Sequence, residues 1–198
     1  AAKIQQAVQA APDAEAAHGH DHGHGEGEPA AANAAGKPPL ALNAEASSIG
    51  FLGAKITGTH VGGFKAFKGA LTWGDGAPSA LTVEVDTRTI FTDPPKLEKH
   101  LKSADFFDVE NKPTAGFTST SFVRGEGNAW TVTGALTMNG QTAEVSFPAT
   151  ISLADGNVVA NATFQINRQD FGITYPGKPD DLIKDEVALN ITLVFPQA

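Results

Sequence analysis

The 198-residue sequence contains no cysteine, which excludes disulfides, thiolate chemistry and cysteine-based zinc sites within it. It also lacks any apolar run near the ~20 residues that a membrane-spanning helix needs. Basic residues are few and scattered: 14 Lys and Arg stand against 22 Asp and Glu, giving a net charge of −8. Because phosphate contacts need concentrated positive charge, this composition argues against binding to nucleic acid or to an anionic membrane surface.

Hydroxylated aromatic side chains are almost absent, with one Tyr against 12 Phe. Phe suits a dry interior, where a phenol would need a hydrogen-bond partner. The sequence also lacks a Gly-x-Ser-x-Gly elbow, a phosphate-binding loop, a dinucleotide fingerprint and a His-Glu-x-x-His motif. These absences favour a binding protein that is not an enzyme and requires no cofactor.

Residues 1–39 form a low-complexity arm rich in Ala, Gly and His. Such a stretch buries too little apolar surface to offset its ordering entropy when it is alone in solution. An alternative is that the arm joins copies of the chain into a homo-oligomeric or filamentous assembly, by lying along a neighbouring subunit's sheet edge. The sequence begins Ala1-Ala2-Lys3 without Met, as a mature product does after removal of a signal peptide, so we expect a periplasmic or secreted protein.

Four histidines alternate along this arm at His18, His20, His22 and His24. In an extended segment, residues two apart share one side, so neutral imidazoles there can converge on one Zn²⁺ or Cu²⁺ ion. A dedicated role in metal buffering is one interpretation. The other is a soluble tail that chelates metals weakly, as any His-rich tract does.

Residues 40–198 have the alternating apolar pattern of β-strands. In the last such run, Val187, Leu189 and Ile191 share one face with Leu193 and Phe195. Asn139-Gly140 joins two alternating runs and predicts a type I′ hairpin turn. The pattern predicts eight strands, at residues 47–56, 63–73, 80–87, 115–123, 129–138, 142–153, 158–167 and 186–195.

One short helix is expected at residues 96–103, between the third and fourth predicted strands. Asp93 is placed to cap it, the following prolines suit its first turn, and Leu97 and Leu101 lie four residues apart. Phe106 and Phe107 come directly afterwards. We therefore expect this segment to form a plug or lid at one end of a barrel.

Five motifs occur in an order that resembles the YceI-like family, over residues 44–198. They are VEVDT at 83–87, HLKSADFFDV at 100–109, KP at 112–113 with FTST at 117–120, GALTMNGQT at 134–142, and INRQDFGI at 166–173. The resemblance implies an all-β protein, an eight-stranded antiparallel lipocalin-like barrel with one short helix. It also implies a periplasmic or secreted setting, and an apolar cavity that holds a polyisoprenoid, a quinone-like lipid or a fatty chain. The His-rich arm lies outside the family's domain.

The phenylalanines permit two interpretations, because a small eight-stranded barrel can fill its interior with side chains alone. The resemblance favours a lipid-binding cavity instead, since an interior of Phe, Val and Leu solvates an isoprenoid well. The candidate ligand-binding residues are Phe64, Phe67, Leu101, Phe106, Phe107, Phe117, Leu136, Phe147, Phe164 and Phe171.

Charged residues near the end of the chain suggest a structural role. Arg168 with Asp170, Asp185 and Glu186 predicts an ion-pair cluster that anchors the loop at residues 170–185 to the barrel end. His60 and His100 are isolated in the sequence and are not expected to bind a metal.

Overall fold

The computed structural model describes residues 38–197, which are mostly β-strand, with one α-helix, α1 (Pro95–Lys102). Two short 3-10 turns lie at Thr87–Thr89 and Arg168–Phe171. The predicted histidine cluster, and residues 1–37 of the predicted arm at residues 1–39, lie outside the described residues. The strands are β1 (Leu40–Ala41), β2 (Ser48–Lys55), β3 (Gly58–Phe64), β4 (Phe67–Gly74), β5 (Ala77–Asp86), β6 (Ile90–Thr92), β7 (Thr114–Arg124), β8 (Ala129–Met138), β9 (Gln141–Ala154), β10 (Asn157–Asn167), β11 (Gly177–Lys178), β12 (Asp181–Leu182) and β13 (Glu186–Pro196).

Eleven of the strands form one curled antiparallel sheet, in the order β1-β4-β5-β7-β8-β9-β10-β13-β2-β3-β6. β11 and β12 form a separate small hairpin. Near the edge strand β1, the Asn43 N–H donates to the Val194 carbonyl of β13 at 2.9 Å. The segment before β2 thus reaches across the barrel end, from the β4 side to β13.

The predicted Asn-Gly hairpin is present between β8 and β9. Met138 pairs with Gln141, which leaves a two-residue turn, and Asn139 and Gly140 have φ angles of 51° and 73°. Both values lie in the left-handed region that a type I′ turn requires. The local turn chemistry therefore sets the register of the longest strand, β9.

The predicted strand at 63–73 is wrong in one respect, because the structure divides it at Lys65 and Ala66. The Thr89 hydroxyl accepts hydrogen bonds from both backbone N–H groups, at 3.2 and 3.0 Å. The chain turns a corner there, from β3 against β2 and β6 to β4 against β1 and β5. A residue 23 positions further along the chain holds this corner, so the local alternation carries no sign of it.

The predicted capping of the helix by Asp93 is also wrong. Pro94 occupies the N-cap position and no side chain caps the helix. The helix instead combines proline in its first turn with a Lys102–Glu98 ion pair at 2.7 Å and a buried Leu101.

Two apolar clusters lie one after the other inside the sheet. The cluster at the inner end includes Val158 and Phe195, both fully buried, with Leu71 and Val132. The second cluster lies beneath α1 and combines Ile90, Leu101, Phe106 and Ile173 with less completely buried aromatics. Within residues 38–197, no helix is long and apolar enough to cross a bilayer.

Candidate functional site

A mainly apolar cavity of about 510 Å³ opens at the barrel end covered by α1. This volume falls within the range typical of small-molecule pockets. The α-helix and the segment from Ile173 to Ile183 supply parts of its wall, and strand residues supply the rest. It is lined by Phe51, Gly53, Ala54, Lys55, His60, Phe64, Pro94, Lys96, Leu97, His100, Leu101, Phe106, Phe107, Met138, Ile166, Arg168, Ile173, Tyr175, Gly177, Lys178, Asp181, Ile183, Val187 and Leu189.

A second cavity, of about 130 Å³, continues further into the barrel. Phe64, Met138, Ile166 and Leu189 line both cavities, so the two adjoin at these four side chains. The wall of the smaller cavity is almost wholly apolar. Together the cavities form an elongated apolar space that runs from the opening towards the inner cluster.

Aromatic rings arranged in contact pairs shape both spaces. At the boundary, the Phe64 ring lies edge-on to Phe107, with centroids 5.8 Å apart, and 6.1 Å from Phe51. Deeper in, Phe147 and Phe164 stack face to face at 4.1 Å. Such pairs add to the stability that burial alone provides, so they help to stabilise the walls of both cavities.

The structure brings eight of the ten predicted ligand-binding residues to the two cavities. The larger cavity receives Phe64, Leu101, Phe106 and Phe107, and the smaller receives Phe117, Leu136, Phe147 and Phe164, together with Phe64. Whether they contact a ligand stays a prediction.

Phe67 and Phe171 line neither cavity. Phe171 is 1% exposed and packs in the 3-10 turn, where its carbonyl accepts a hydrogen bond from Asn139 Nδ2 at 3.1 Å. Phe67 begins β4 and pairs with Val85. Both residues therefore lie outside the two cavities, and whether they contact a ligand stays a prediction.

Several lining residues were missed by the sequence reasoning. Val187 and Leu189 share the alternating face of the last strand, and that pattern was a usable signal for them. Tyr175 and Ile183 lie in the irregular segment before β13, where no periodicity indicates which side chains point inward. Phe51 was overlooked because the strand that contains it is rich in glycine.

Arg168 fastens this irregular segment to the barrel. It is 4% exposed, and its guanidinium donates to the carbonyls of Ile173 at 2.6 Å and Lys184 at 3.1 Å, and to Asp185 Oδ1 at 2.9 Å. The planar group is suited to several donations in fixed directions. The predicted loop anchor is therefore present with Asp185 as the paired carboxylate, and Asp170 and Glu186 make no ion pair with Arg168.

The β11–β12 hairpin is held at the cavity opening by Asp181. Its carboxylate accepts hydrogen bonds from the Lys55 ammonium and, at 2.8 and 3.0 Å, from the hydroxyl and backbone N–H of Thr57. The Lys55 hydrogen bond is the main reason that the pKa of Asp181 falls to about 2, with the Thr57 donors adding to it. The hairpin is thereby tied to the turn between β2 and β3.

Both isolated histidines line the larger cavity. His100 Nε2 lies 2.9 Å from Asp105 Oδ2, and its ring meets the Phe106 and Tyr175 rings edge-on at 5.0 and 4.8 Å. His100 therefore has a hydrogen-bond partner five residues further along the chain. The part of the chain that the structure describes contains no group of three or more metal-ligating side chains.

Comparison with protein families matches residues 40–195 to the YceI-like domain. The chain belongs to the YceI-like family. A UPF0312 protein of Pseudomonas putida is 35% identical over 137 residues, which cover 65% of this chain and 71% of that protein. Protein YceI of Salmonella arizonae is 42% identical over 90 residues, which cover 44% of this chain and 47% of that protein.

Solved structures share the fold of this YceI-like domain at low sequence identity. Burkholderia cenocepacia BcnA superposes with a TM-score of 0.71 at 22% identity, covering 77% of this chain and 98% of that one. A polyisoprenoid binding domain from Saccharophagus degradans superposes with a TM-score of 0.67 at 14% identity, covering 80% and 98%. The predicted lipocalin-like antiparallel fold with one short helix is confirmed, with more strands than the eight expected.

Proposed function

We propose that this YceI-like barrel binds a long apolar lipid, a polyisoprenoid, quinone-like or fatty chain, and sequesters or carries it without chemical turnover. The observation that carries the proposal is the pair of adjoining apolar cavities, of about 510 and 130 Å³, beneath α1. The Saccharophagus degradans relative of the same fold, a polyisoprenoid binding domain, supports it.

The physical basis of such binding is the transfer of apolar surface out of water. Burial contributes about 25 cal/mol per Å², so a long chain binds well without any specific hydrogen bond to its tail. The aromatic and aliphatic wall offers no polar pattern along the tail by which similar chains are told apart. We therefore expect affinity to rise with chain length and to discriminate weakly between chains of similar length.

The direct test is native mass spectrometry of the protein purified from its own source, followed by organic extraction and identification of the co-purified species. A polyprenyl, quinone-like or fatty species at near one per chain supports the proposal and names the cargo. A protein that is empty, and that takes up no long-chain lipid when offered one after delipidation, contradicts it.

Export to the periplasm or outside the cell is part of the proposal, and cell fractionation tests it. The roles predicted for residues 1–39 have separate tests. Assembly through the arm requires the full-length chain to be larger in solution than a chain truncated before Pro38. A metal site requires the heat of Zn²⁺ or Cu²⁺ titration to disappear when His18, His20, His22 and His24 become Ala.

A further inference from the structure

We infer that the opening of the larger cavity selects amphiphiles with an anionic head group, a carboxylate or a phosphate. This inference rests on the proposed function, because it assigns the head of the molecule whose tail would fill the apolar space. It concerns the polar residues at the opening, which the apolar wall does not explain.

The charges that line the cavity are unequally balanced. Among the described residues that line it, Asp181 is the only carboxylate, against the cations Lys55, Lys96, Arg168 and Lys178. Lys55 is neutralised by Asp181, and Arg168 is paired with Asp185. After these two pairings, two positive charges remain unpaired at the opening, although the chain as a whole has a net charge of −8.

The two surplus cations are Lys96, in the first turn of α1, and Lys178, in β11. Neither forms a salt bridge with any residue between positions 38 and 197. Both are solvent-exposed and both line the cavity. An anion at the opening would therefore meet two ammonium groups that no protein carboxylate has already engaged.

The polar side chains at the opening also offer more unused hydrogen-bond donors than acceptors. The Asp181 oxygens already accept from Lys55 and Thr57. Tyr175 and His60 line the same cavity, and neither side chain makes a hydrogen bond with the residues that the structure describes. Tyr175 and His60 can each donate, and the two ammonium groups only donate, so open donors outnumber open acceptors among these side chains. This suits a carboxylate or phosphate, since these groups accept hydrogen bonds and donate few or none at neutral pH.

The ligand class follows from the position of these groups on the wall of an apolar space. Lys96 belongs to the same short helix as Leu97 and Leu101, which also line the cavity. A molecule with its tail among the inner aromatics would bring its head to the opening. A single-chain amphiphile with a negative head matches both parts, whereas a neutral alcohol matches only the tail.

The test compares matched probes on delipidated protein at low salt and below the concentration at which the probes form micelles. Palmitate is compared with hexadecanol to test a carboxylate head group, and farnesyl phosphate is compared with farnesol to test a phosphate head group. We expect the anionic member of at least one pair to bind about tenfold tighter, since partly exposed charge pairs each contribute modestly. The pair with the larger ratio of anion affinity to alcohol affinity identifies the head group.

The decisive variant is Lys96→Gln with Lys178→Gln, which should abolish the anionic preference, measured within that variant as the ratio of the anion's affinity to the alcohol's. Lys99→Gln with Lys184→Gln is the control, because it removes the same charge from exposed lysines that do not line the cavity. Equal binding of anion and alcohol, or equal losses in the two variants, overturns the inference while the lipid-binding proposal stands. Failure of all four probes to bind overturns both.

Discussion

Replacement of Gly53 by Leu should block the lipid site without disturbing the fold. Gly53 lies in β2, on the face that also carries Phe51 and Lys55, and it lines the larger cavity. A Cβ added there would meet no atom within 4 Å, and the backbone φ is one that any residue adopts. A larger side chain therefore enters open space and takes volume from the ligand.

The size of the effect follows from the volume exchanged. The leucine side chain displaces about three or four methylene groups of a bound tail, each worth about 0.8 kcal/mol on burial. The loss of about 3 kcal/mol corresponds to a Kd about a hundredfold higher. The free energy of unfolding should stay the same or rise by up to about 1 kcal/mol, because glycine weakens a strand. Fluorescent-lipid displacement measures the first quantity, and urea denaturation of delipidated protein the second.

Gly74→Leu is the matched control. Gly74 ends β4, is exposed, lines neither cavity, and a Cβ there would also meet no atom within 4 Å. It should keep the lipid affinity of the parent protein. If the two variants bind lipid equally well, the ligand does not occupy the cavity beneath α1, and the reasoning from cavity to function is refuted.

Three other perturbations have expected outcomes. Arg168→Ala should cost about 2–3 kcal/mol in urea denaturation, because the carbonyls of Ile173 and Lys184 and the half-exposed Asp185 lose a charged donor; a loss below 1 kcal/mol would contradict the anchoring role. Asp181 has its pKa lowered to about 2, so its stabilising effect is present above the ordinary value of 3.8 and is lost as the pH falls through about 2. Asp181→Asn should therefore flatten the fall of stability over that range, and an unchanged profile would argue against the Lys55 hydrogen bond. Phe195→Ala should cost about 3–5 kcal/mol, since Phe195 is fully buried at the inner end, and a loss near that of an exposed residue would show that this cluster is not the stabilising core.

The long strands could be predicted from the sequence because their signals are local. Alternation specifies which face of a strand is buried, and Asn139-Gly140 specifies one turn, so β8 and β9 were found with ends correct to within a residue or so. The corner at Lys65 could not be predicted in this way. It depends on the hydroxyl of Thr89, which becomes a neighbour only after β4 and β5 have folded back.

The site was predictable to the extent that its residues share strand periodicity or follow a family motif. Phe117, Leu136, Phe147 and Phe164 come from regular strands and do line the inner cavity. The opening was missed because Lys178 and Tyr175 lie between the end of β10 and β13, where hydrogen bonds to Arg168 decide the path of the chain. Side-chain directions in such a segment follow from tertiary contacts, and no local pattern records them.

Stability and binding are separated along the length of this barrel. At the inner end, Leu71, Val132, Val158 and Phe195 line neither cavity, and Val158 and Phe195 have no exposed surface. The cluster beneath α1 instead surrounds empty volume, and side chains that face a void forgo the dispersion contacts they would make in a filled core. A bound tail restores those contacts. The dispersion energy that the empty cavity does not contribute to folding therefore contributes to ligand binding instead. The same separation explains why the two changes should affect different quantities. A cavity-filling change at Gly53 should lower lipid affinity, whereas a cavity-forming change at Phe195 should lower the free energy of unfolding.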